Sequence, residues 1–476
     1  MFTYKKLKDK TAEELQREKN LKIWMEHHGK PTTRRQFLAS GAAVGAASVV
    51  LPSALSMLAS SEATAAACAS AKQGGFVTLN LSGGASLAGN ALALDKNGSF
   101  LSSYEAVGAG PTAVAAAAAV KTFGASSAAF AGVSGFMTGL LTKLTPATIL
   151  NTNFLILCVR SQDDTANNPF DPTPMISVAK AGQGAFLPPL NKNRNQPAQL
   201  AAVPALSVNG LTSITDAIGV QGAVSNLSTQ QKTSLFQMIQ NLSSTQQAAF
   251  SSTAGYAMLT QLVQNATGTN VSLIGNASGS IDPRQNTALN TGNVWNFNNQ
   301  TDLTNASVIY NSINGNAVTA NLDMGGYDYH NQGRANMDTK DAQAGVLVGQ
   351  ALQTAANLGQ KICVCVTSDG SVGHDITGAA GSPPTGDLGT HGMAYMFFYD
   401  PIGRHAQMSS QVGAFTGSGT SIGVDETTAI GSSASLATAA MVANYMAFLG
   451  QPDGINKVAP SAFNSTQLTS EIIKIG

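Results

Sequence analysis

Carboxylate and imidazole side chains occur together at three places in the second half of the chain. Asp328 and His330 lie two positions apart in Gly-Gly-Tyr-Asp-Tyr-His, directly after an apolar run. Asp369 follows a second apolar run, and His391 precedes a third. Carboxylates and imidazoles bind divalent metals such as zinc, and a metal so held polarises a phosphoryl or sulfuryl oxygen or activates water. The spacing therefore predicts a metal site built from separate loops.

A parallel sheet would bring these loops together. The sequence predicts strands at 317–324 and 361–367, joined by a helix from about residue 338 to 358 whose apolar residues recur on one stripe. A β-α-β unit of this kind places the loops after both strands at the same carboxyl edge of the sheet. A further apolar strand, 393–399, follows His391.

The first half of the chain predicts two more strands. The β-prone run Gly75–Leu81 ends in Ser-Gly-Gly-Ala-Ser (82–86), and 153–160 is continuously apolar, as in a strand covered on both faces. A strand that runs into two glycines and a hydroxyl is typical of a ligand-binding edge, and a tight turn explains the pattern equally well.

The remaining segments predict helices and loops around this sheet. Residues 226–264 have apolar residues at helical spacing, with a capping box at Ser228 and Gln231. The Asn-, Thr- and Gly-rich stretch 265–317 predicts long surface loops with one short helix near 307–313. The expected organisation is a single domain at 75–460 with insertions at about 226–317.

Four short motifs together resemble a large family of uncharacterised, twin-arginine-exported bacterial proteins of the alkaline phosphatase and sulfatase superfamily. They are Leu-Ser-Gly-Gly-Ala-Ser (81–86), Gly-Gly-Tyr-Asp-Tyr-His (325–330), Thr-Ser-Asp (367–369) and Gly-Thr-His-Gly (389–392). The resemblance implies an alkaline-phosphatase-like α/β/α sandwich around a largely parallel sheet, with metal ligands at its carboxyl edge. By motif position, Asp328, His330 and His391 resemble ligands of one metal, and Asp369 resembles a ligand of a second.

The chain departs from the family pattern at two motifs. Ser86 stands where the family usually has an acid, and Gly370 follows Asp369 where phosphatases of the superfamily have His. These departures predict that one metal site is weakened or lost, unless His374 or Asp375 replaces the missing ligand. The resemblance leaves Ser86 as the best-placed hydroxyl for a nucleophile.

The N-terminal region resembles a twin-arginine export signal. Arg34 and Arg35 precede an uncharged Ala-, Gly-, Val- and Leu-rich segment, 37–58, and small residues follow at 63–67. This predicts a signal region at 1–67, the twin-arginine export machinery as a partner, and a periplasmic or secreted product. A membrane anchor formed by the apolar segment and lipidation of Cys68 are the alternatives.

The composition agrees with export. Charged residues make up only 11% of the chain, and the first 66 residues hold 10 of the 26 Lys and Arg but 6 of the 26 acids. The remaining chain is mildly acidic without a basic patch, which argues against nucleic-acid binding. The four cysteines give no disulfide framework, and Cys363 and Cys365 are expected to be buried thiols on one strand.

Two functions from different classes are consistent with these features. The first is an exported metal-dependent hydrolase that acts on a phosphate or sulfate ester of a small molecule or an envelope polymer. The second is a non-catalytic binding or structural protein of the cell envelope, suggested by the low charge and the altered acidic motifs.

Overall fold

The computed structural model describes most of the chain after residue 73, in separate ranges. These are residues 74–101, 104, 120–124, 126, 128–132, 134–160, 171–179, 187, 189–192, 205–217, 228, 230–231, 234, 281–290, 292–317, 319–329, 334–368, 391–418 and 421–476. The predicted signal region, 1–67, lies outside them. None of the helices in these ranges has the length and apolar character needed to cross a membrane.

A large sheet of mostly parallel strands lies at the centre of the fold. The described strands are β1 (Gly75–Leu81), β2 (Ala91–Leu92), β3 (Val120–Thr122), β4 (Ala129–Ala131), β5 (Thr152–Arg160), β6 (Leu190–Lys192), β7 (Leu206–Ser207), β8 (Ala320–Met324), β9 (Ile362–Ser368), β10 (His391–Tyr399), β11 (Gln411–Val412), β12 (Phe415–Ser418) and β13 (Ser421–Val424). Eight of them form one sheet in the order β11-β5-β10-β9-β1-β8-β6-β7. In it β10 runs antiparallel to β5 and β9, and the other neighbouring pairs are parallel.

Helices pack against both faces of this sheet. The described helices are α1 (Gly135–Leu141), α2 (Pro146–Leu150), α3 (Thr173–Ala179), α4 (Leu211–Ala217), α5 (Gln300–Ile313), α6 (Arg334–Leu358), α7 (Ala434–Phe448) and α8 (Ser465–Gln467). Residues of α1, α5 and α6 share one hydrophobic core with Val77, Leu79 and Leu81 of β1. Residues of α3 and α7 share a second core with Phe76, on the opposite face of the same strand.

This architecture confirms the expectation of a mixed α/β fold around a large, mostly parallel sheet. Because β8, β1 and β9 are adjacent and parallel, the loops that follow them lie at one carboxyl edge. The predicted buried thiols are also confirmed, since Cys363 and Cys365 are unbridged and fully buried.

Helices α1 and α6 approach each other backbone to backbone through glycines. A Cβ atom added at Gly139 would lie 2.0 Å from the carbonyl oxygen of Ala342, and one added at Gly345 would lie 2.0 Å from the carbonyl oxygen of Phe136. No side chain fits at that distance, so α1 and α6 can pack this closely only with glycine at these positions. The contact fixes α6, whose first turns carry the anchors of the candidate site.

The helix predicted near 307–313 is confirmed as the end of α5, but residues 281–317 as a whole are more helical and more buried than the surface loops that were expected. Helix α5 covers 14 residues, and Val294 and Trp295 before it are buried. Several polar residues of α5 are buried with their side chains bonded to backbone, as when Ser307 Oγ donates to the carbonyl oxygen of Leu303 at 2.7 Å. The predicted capping box at Ser228 and Gln231 is confirmed by reciprocal hydrogen bonds of 2.8 and 3.2 Å.

The C-terminal segment belongs to the same fold. Leu468, Ile472 and Ile475 are buried in the second core, and Ile475 pairs with Gln407 in an isolated β-bridge. The packed domain therefore continues past residue 460.

Candidate functional site at the carboxyl edge

The loop after β8 alternates buried and exposed side chains. Tyr327 and Tyr329 are both fully buried, whereas Asp328 between them is exposed. The Tyr327 hydroxyl donates to the carbonyl oxygen of Lys340 at 2.9 Å, and the Tyr329 hydroxyl donates to Asp341 Oδ1 at 2.6 Å. Two tyrosines anchored on α6 thus hold the Asp328 carboxylate outward at the edge of the sheet. His330 lies outside the described residues.

The loop after β1 packs directly on this segment. The Ser82 N–H donates to the carbonyl oxygen of Met324 at 2.9 Å, and the Tyr327 N–H donates to the carbonyl oxygen of Ser82 at 3.1 Å. Gly83 has φ +110°, and a Cβ there would lie 2.7 Å from the backbone nitrogen of Asp328. Only glycine tolerates both the backbone conformation and the contact. The two glycine-bearing motifs of the sequence therefore meet at Gly83 and Asp328.

Asp341 on α6 connects both loops through one buried carboxylate. Its Oδ1 accepts from Tyr329, and its Oδ2 accepts from Asn90 Nδ2 at 2.6 Å. Asn90 Oδ1 in turn accepts from Ser134 Oγ at 2.8 Å, at the start of α1. Burial raises the pKa of Tyr329 well above its ordinary value, and the Asp341 charge adds to the rise. Tyr329 is therefore a neutral hydrogen-bond donor at all ordinary pH values.

Ser86, the predicted nucleophile, lies in the loop after β1 but faces inward. The residue is 2% exposed, and its Oγ has no hydrogen-bond partner. It precedes the short 3₁₀ helix Leu87–Gly89 without capping it through its side chain. The hydroxyl of Tyr395 anchors this 3₁₀ helix by donating to the carbonyl oxygen of Leu87. In this conformation Ser86 Oγ is closed to a substrate.

His391 begins β10 at the same edge and uses one ring nitrogen for the fold. Its Nδ1 accepts the N–H of Val424 at 2.8 Å, and Gly423 lies against the ring. Burial lowers the pKa of His391, Arg160 lowers it further, and Glu426 opposes them. Because Nδ1 accepts a hydrogen bond, the neutral ring carries its proton on Nε2. A metal ligand needs a lone pair on the nitrogen that faces the metal, so neither ring nitrogen offers one in this arrangement.

The predicted metal ligands divide between described and undescribed positions. Asp328 and His391 are described, whereas His330, Asp369 and the possible substitutes His374 and Asp375 lie outside the described residues. Within the described ranges, no three His, Cys, Asp or Glu side chains form a group that could hold a metal ion. Two residues are too few to hold a zinc ion, so Asp328 and His391 do not form a zinc centre by themselves. Both stay predicted ligands.

The structure also brings together polar residues that the sequence analysis did not single out. At the ends of β1 and β8, Asp323 Oδ1 accepts from Ser82 Oγ at 2.5 Å and from Asn80 Nδ2 at 2.7 Å. Burial lowers the pKa of the nearby Lys192, and the charges of Asp302 and Asp323 partly restore it. Asp323 sits within the predicted strand, and only the pairing of Asn80 with Asp323 in the sheet register reveals this cluster.

No family model, no curated protein and no solved structure matches the chain. The functional inference accordingly rests on the geometry of the two loops and on the motifs that they carry.

Proposed function

We propose that the chain is an exported, metal-dependent hydrolase of phosphate or sulfate esters with an alkaline-phosphatase-like fold. The observation that carries the proposal is the contact of Gly83 with Asp328. It joins two motifs of the resemblance at the carboxyl edge of a mostly parallel sheet, the place where α/β proteins bind ligands. The predicted twin-arginine signal supports a periplasmic or secreted location.

Three cationic side chains around this edge suit an anionic ester. Arg160 ends β5 beside His391 and pairs with Glu426, Lys192 ends β6, and Lys340 lies with its Nζ 5.8 Å from the ring centre of Tyr327. Lysine and arginine recognise phosphate and sulfate through charge-assisted hydrogen bonds. The edge therefore combines outward carboxylate and cationic groups, as the hydrolysis of such esters needs.

Metal content and turnover test this proposal together. The purified chain, after removal of residues 1–67, is analysed for bound zinc and other divalent metals and assayed with aryl phosphate and aryl sulfate esters. We expect a bound divalent metal and turnover that a chelator abolishes and the added metal restores. Metal-free protein that turns over neither ester would refute the proposal.

A second function, a non-catalytic binding or structural protein of the cell envelope, is favoured by two specific observations. Ser86 Oγ is closed to a substrate, and His391 Nδ1 is occupied by the Val424 amide. This alternative predicts that Asp328→Ala leaves the cellular phenotype unchanged, while deletion of 265–280 abolishes it. The deletion ends at 280 because the segment that follows contains buried core residues and α5.

A further inference from the structure

Ser82 and Asp323 form a hydroxyl–carboxylate pair at the carboxyl edge. Ser82 is the first residue after β1, and Asp323 lies near the end of the adjacent parallel strand β8. Ser82 Oγ donates to Asp323 Oδ1 at 2.5 Å, and both residues are partly exposed. A short hydrogen bond to an ionised acceptor is the strong kind, and here it lies at a surface that a substrate can reach.

Asn80 aligns this pair from the neighbouring position on β1. Its Nδ2 donates to Asp323 Oδ1 at 2.7 Å and to Ser82 Oγ at 3.0 Å. Its Oδ1 accepts from Thr367 Oγ1 at 3.3 Å, which fixes which end of the amide faces the pair. Ser82 Oγ therefore accepts one hydrogen bond, points its proton at Asp323 and keeps one lone pair for attack.

The arrangement matches the general pattern of an activated nucleophile. Such a site needs a hydroxyl within hydrogen-bond reach of a base and a third group that orients them. Ser82, Asp323 and Asn80 fill these three roles, whereas the buried Ser86 Oγ contacts no base.

We propose that Ser82 is the nucleophile of the site and that Asp323 is its general base. The inference rests on the proposed function and adds to it a covalent step on an anionic ester. Ser82 Oγ bonds to the phosphorus or sulfur as its proton passes to Asp323, and the ester bond to the leaving alcohol breaks. The departing oxygen takes a proton from solvent, and Asp323 releases the Ser82 proton to solvent. A water then attacks the phosphorus or sulfur and loses a proton to Asp323, the bond to Ser82 Oγ breaks, and Asp323 passes the proton to Ser82 Oγ as phosphate or sulfate leaves.

Lys192 supplies a positive charge beside this pair. It ends β6, the strand next to β8, and its pKa responds to the Asp323 carboxylate. An ammonium there attracts an anionic ester. Asn80, which bonds to both members of the pair, and Thr367, which bonds to Asn80, act as positioning residues.

A fluorophosphonate probe tests the nucleophile without relying on ester turnover. The probe forms an Oγ–phosphorus bond and loses fluoride, and the modified residue is located by peptide mass spectrometry. We expect labelling at Ser82 in the wild-type chain, none in Ser82→Ala, and wild-type labelling in Ser86→Ala. Absence of label at Ser82, or equal labelling of Ser82→Ala, would overturn the inference.

Two variants test the base and its alignment. Asp323→Asn should slow labelling by about 100-fold or more, the usual contribution of a general base. Thr367→Val keeps the pair and the side-chain volume but frees the Asn80 amide, so about a 10-fold loss is expected. If Asp323→Asn does not fold, the labelling rate of Thr367→Val tests the proposal alone. A wild-type labelling rate in each variant that folds would contradict the proposal.

The same preparations separate this inference from the proposed function. A chain that hydrolyses aryl phosphate or sulfate without labelling at Ser82 retains the proposed function and refutes the Ser82 pair. A chain labelled at Ser82 that hydrolyses neither ester supports the reactive serine and refutes the proposed substrate class.

Discussion

The two edges of the central sheet carry the same residue types in opposite situations. At the amino edge, Asp400 accepts from Lys361 Nζ at 2.5 Å, from His405 Nε2 at 2.8 Å and from the N–H of Ile402 at 2.9 Å. Asp400 is 4% exposed. At the carboxyl edge, Asp328 projects outward because the two tyrosines beside it are buried.

The difference shows that a carboxylate near an imidazole does not define a site. Around Asp400 the polar groups hydrogen-bond to one another and are largely buried, which is typical of a structural cluster. At the carboxyl edge the buried tyrosine hydroxyls bond to α6, and Asp328 between them is exposed to solvent. The following substitutions test that distinction, starting with the largest expected effect.

Gly83→Ala should disable the carboxyl edge. The new methyl group would lie 2.7 Å from the Asp328 nitrogen and must displace the loop. A displacement of about 1 Å at a reacting group costs about 100-fold in rate, so turnover of an aryl ester should fall by about that factor. Gly98→Ala is the matched control, because Gly98 also has a positive φ but nothing lies within 4 Å of its added Cβ. Equal rates for the two variants would contradict the proposed contact.

Gly345→Ala should destabilise the helix pair beneath that edge. The added methyl group would lie 2.0 Å from the carbonyl oxygen of Phe136, and such overpacking should lower the free energy of unfolding by about 3 kcal/mol. Gly325→Ala, with nothing within 4 Å of its Cβ, should change it by less than about 1 kcal/mol. Urea denaturation of both variants provides the measurement, and similar midpoints would argue against the close approach of α1 and α6.

Tyr329→Phe should affect both stability and turnover. It removes the 2.6 Å donor to the buried Asp341, and a hydrogen bond to a charged group contributes about 2 kcal/mol. Tyr445→Phe is the comparison at the amino edge, since the Tyr445 hydroxyl donates to the carbonyl oxygen of Gly74 at 2.7 Å. Only Tyr329→Phe should also reduce turnover per folded molecule. A similar loss of turnover per folded molecule in Tyr445→Phe would mean that removing a buried tyrosine hydroxyl at either edge has the same effect.

Asp400→Asn should alter stability alone, and in a defined pH range. Burial opposes ionisation of Asp400, but the bonds from Lys361, Ile402 and His405 outweigh it and lower the pKa below its ordinary value of 3.8. The ionised carboxylate therefore stabilises the fold above pH 3.8, and this contribution is lost as the pH falls through the lowered pKa. The variant should be less stable by about 1 to 2 kcal/mol at neutral pH, with the gap closing in acid. If the difference in the free energy of unfolding between the two proteins persists unchanged in acid, the ionised Asp400 carboxylate is not its cause.

The strands of the sheet were predictable because each is a short apolar run bounded by glycine or polar residues. β1 and the β8-α6-β9 unit follow from this pattern, as does their common carboxyl edge. Helix α5 was predicted only over its last part, near 307–313, because the Asn and Thr residues before it favour loops in isolation. In the structure Thr304 Oγ1 donates to the carbonyl oxygen of Gln300, which lets this polar side chain lie buried in the helix.

The candidate site was predictable only in part, for a related reason. Asp328 was predicted from its motif, because a carboxylate and an imidazole two positions apart directly after an apolar run indicate metal ligands. The Asp323 cluster depends on the register of β1 against β8, which places Asn80 opposite Asp323. Local sequence does not encode the pairing of residues that lie so far apart in the chain. The sequence likewise gives no sign that His391 Nδ1 accepts the Val424 amide, because that bond requires the β12–β13 hairpin.

Turnover of an aryl phosphate by Asp328→Ala and Asp400→Asn, measured side by side on folded protein, tests the central claim most directly. We expect Asp328→Ala to lose at least about 100-fold in kcat/KM, because it removes the exposed carboxylate at the meeting point of the two loops. Asp400→Asn should retain wild-type turnover at neutral pH. If Asp328→Ala keeps full activity, or if both variants lose activity equally, the carboxyl edge is not the active site.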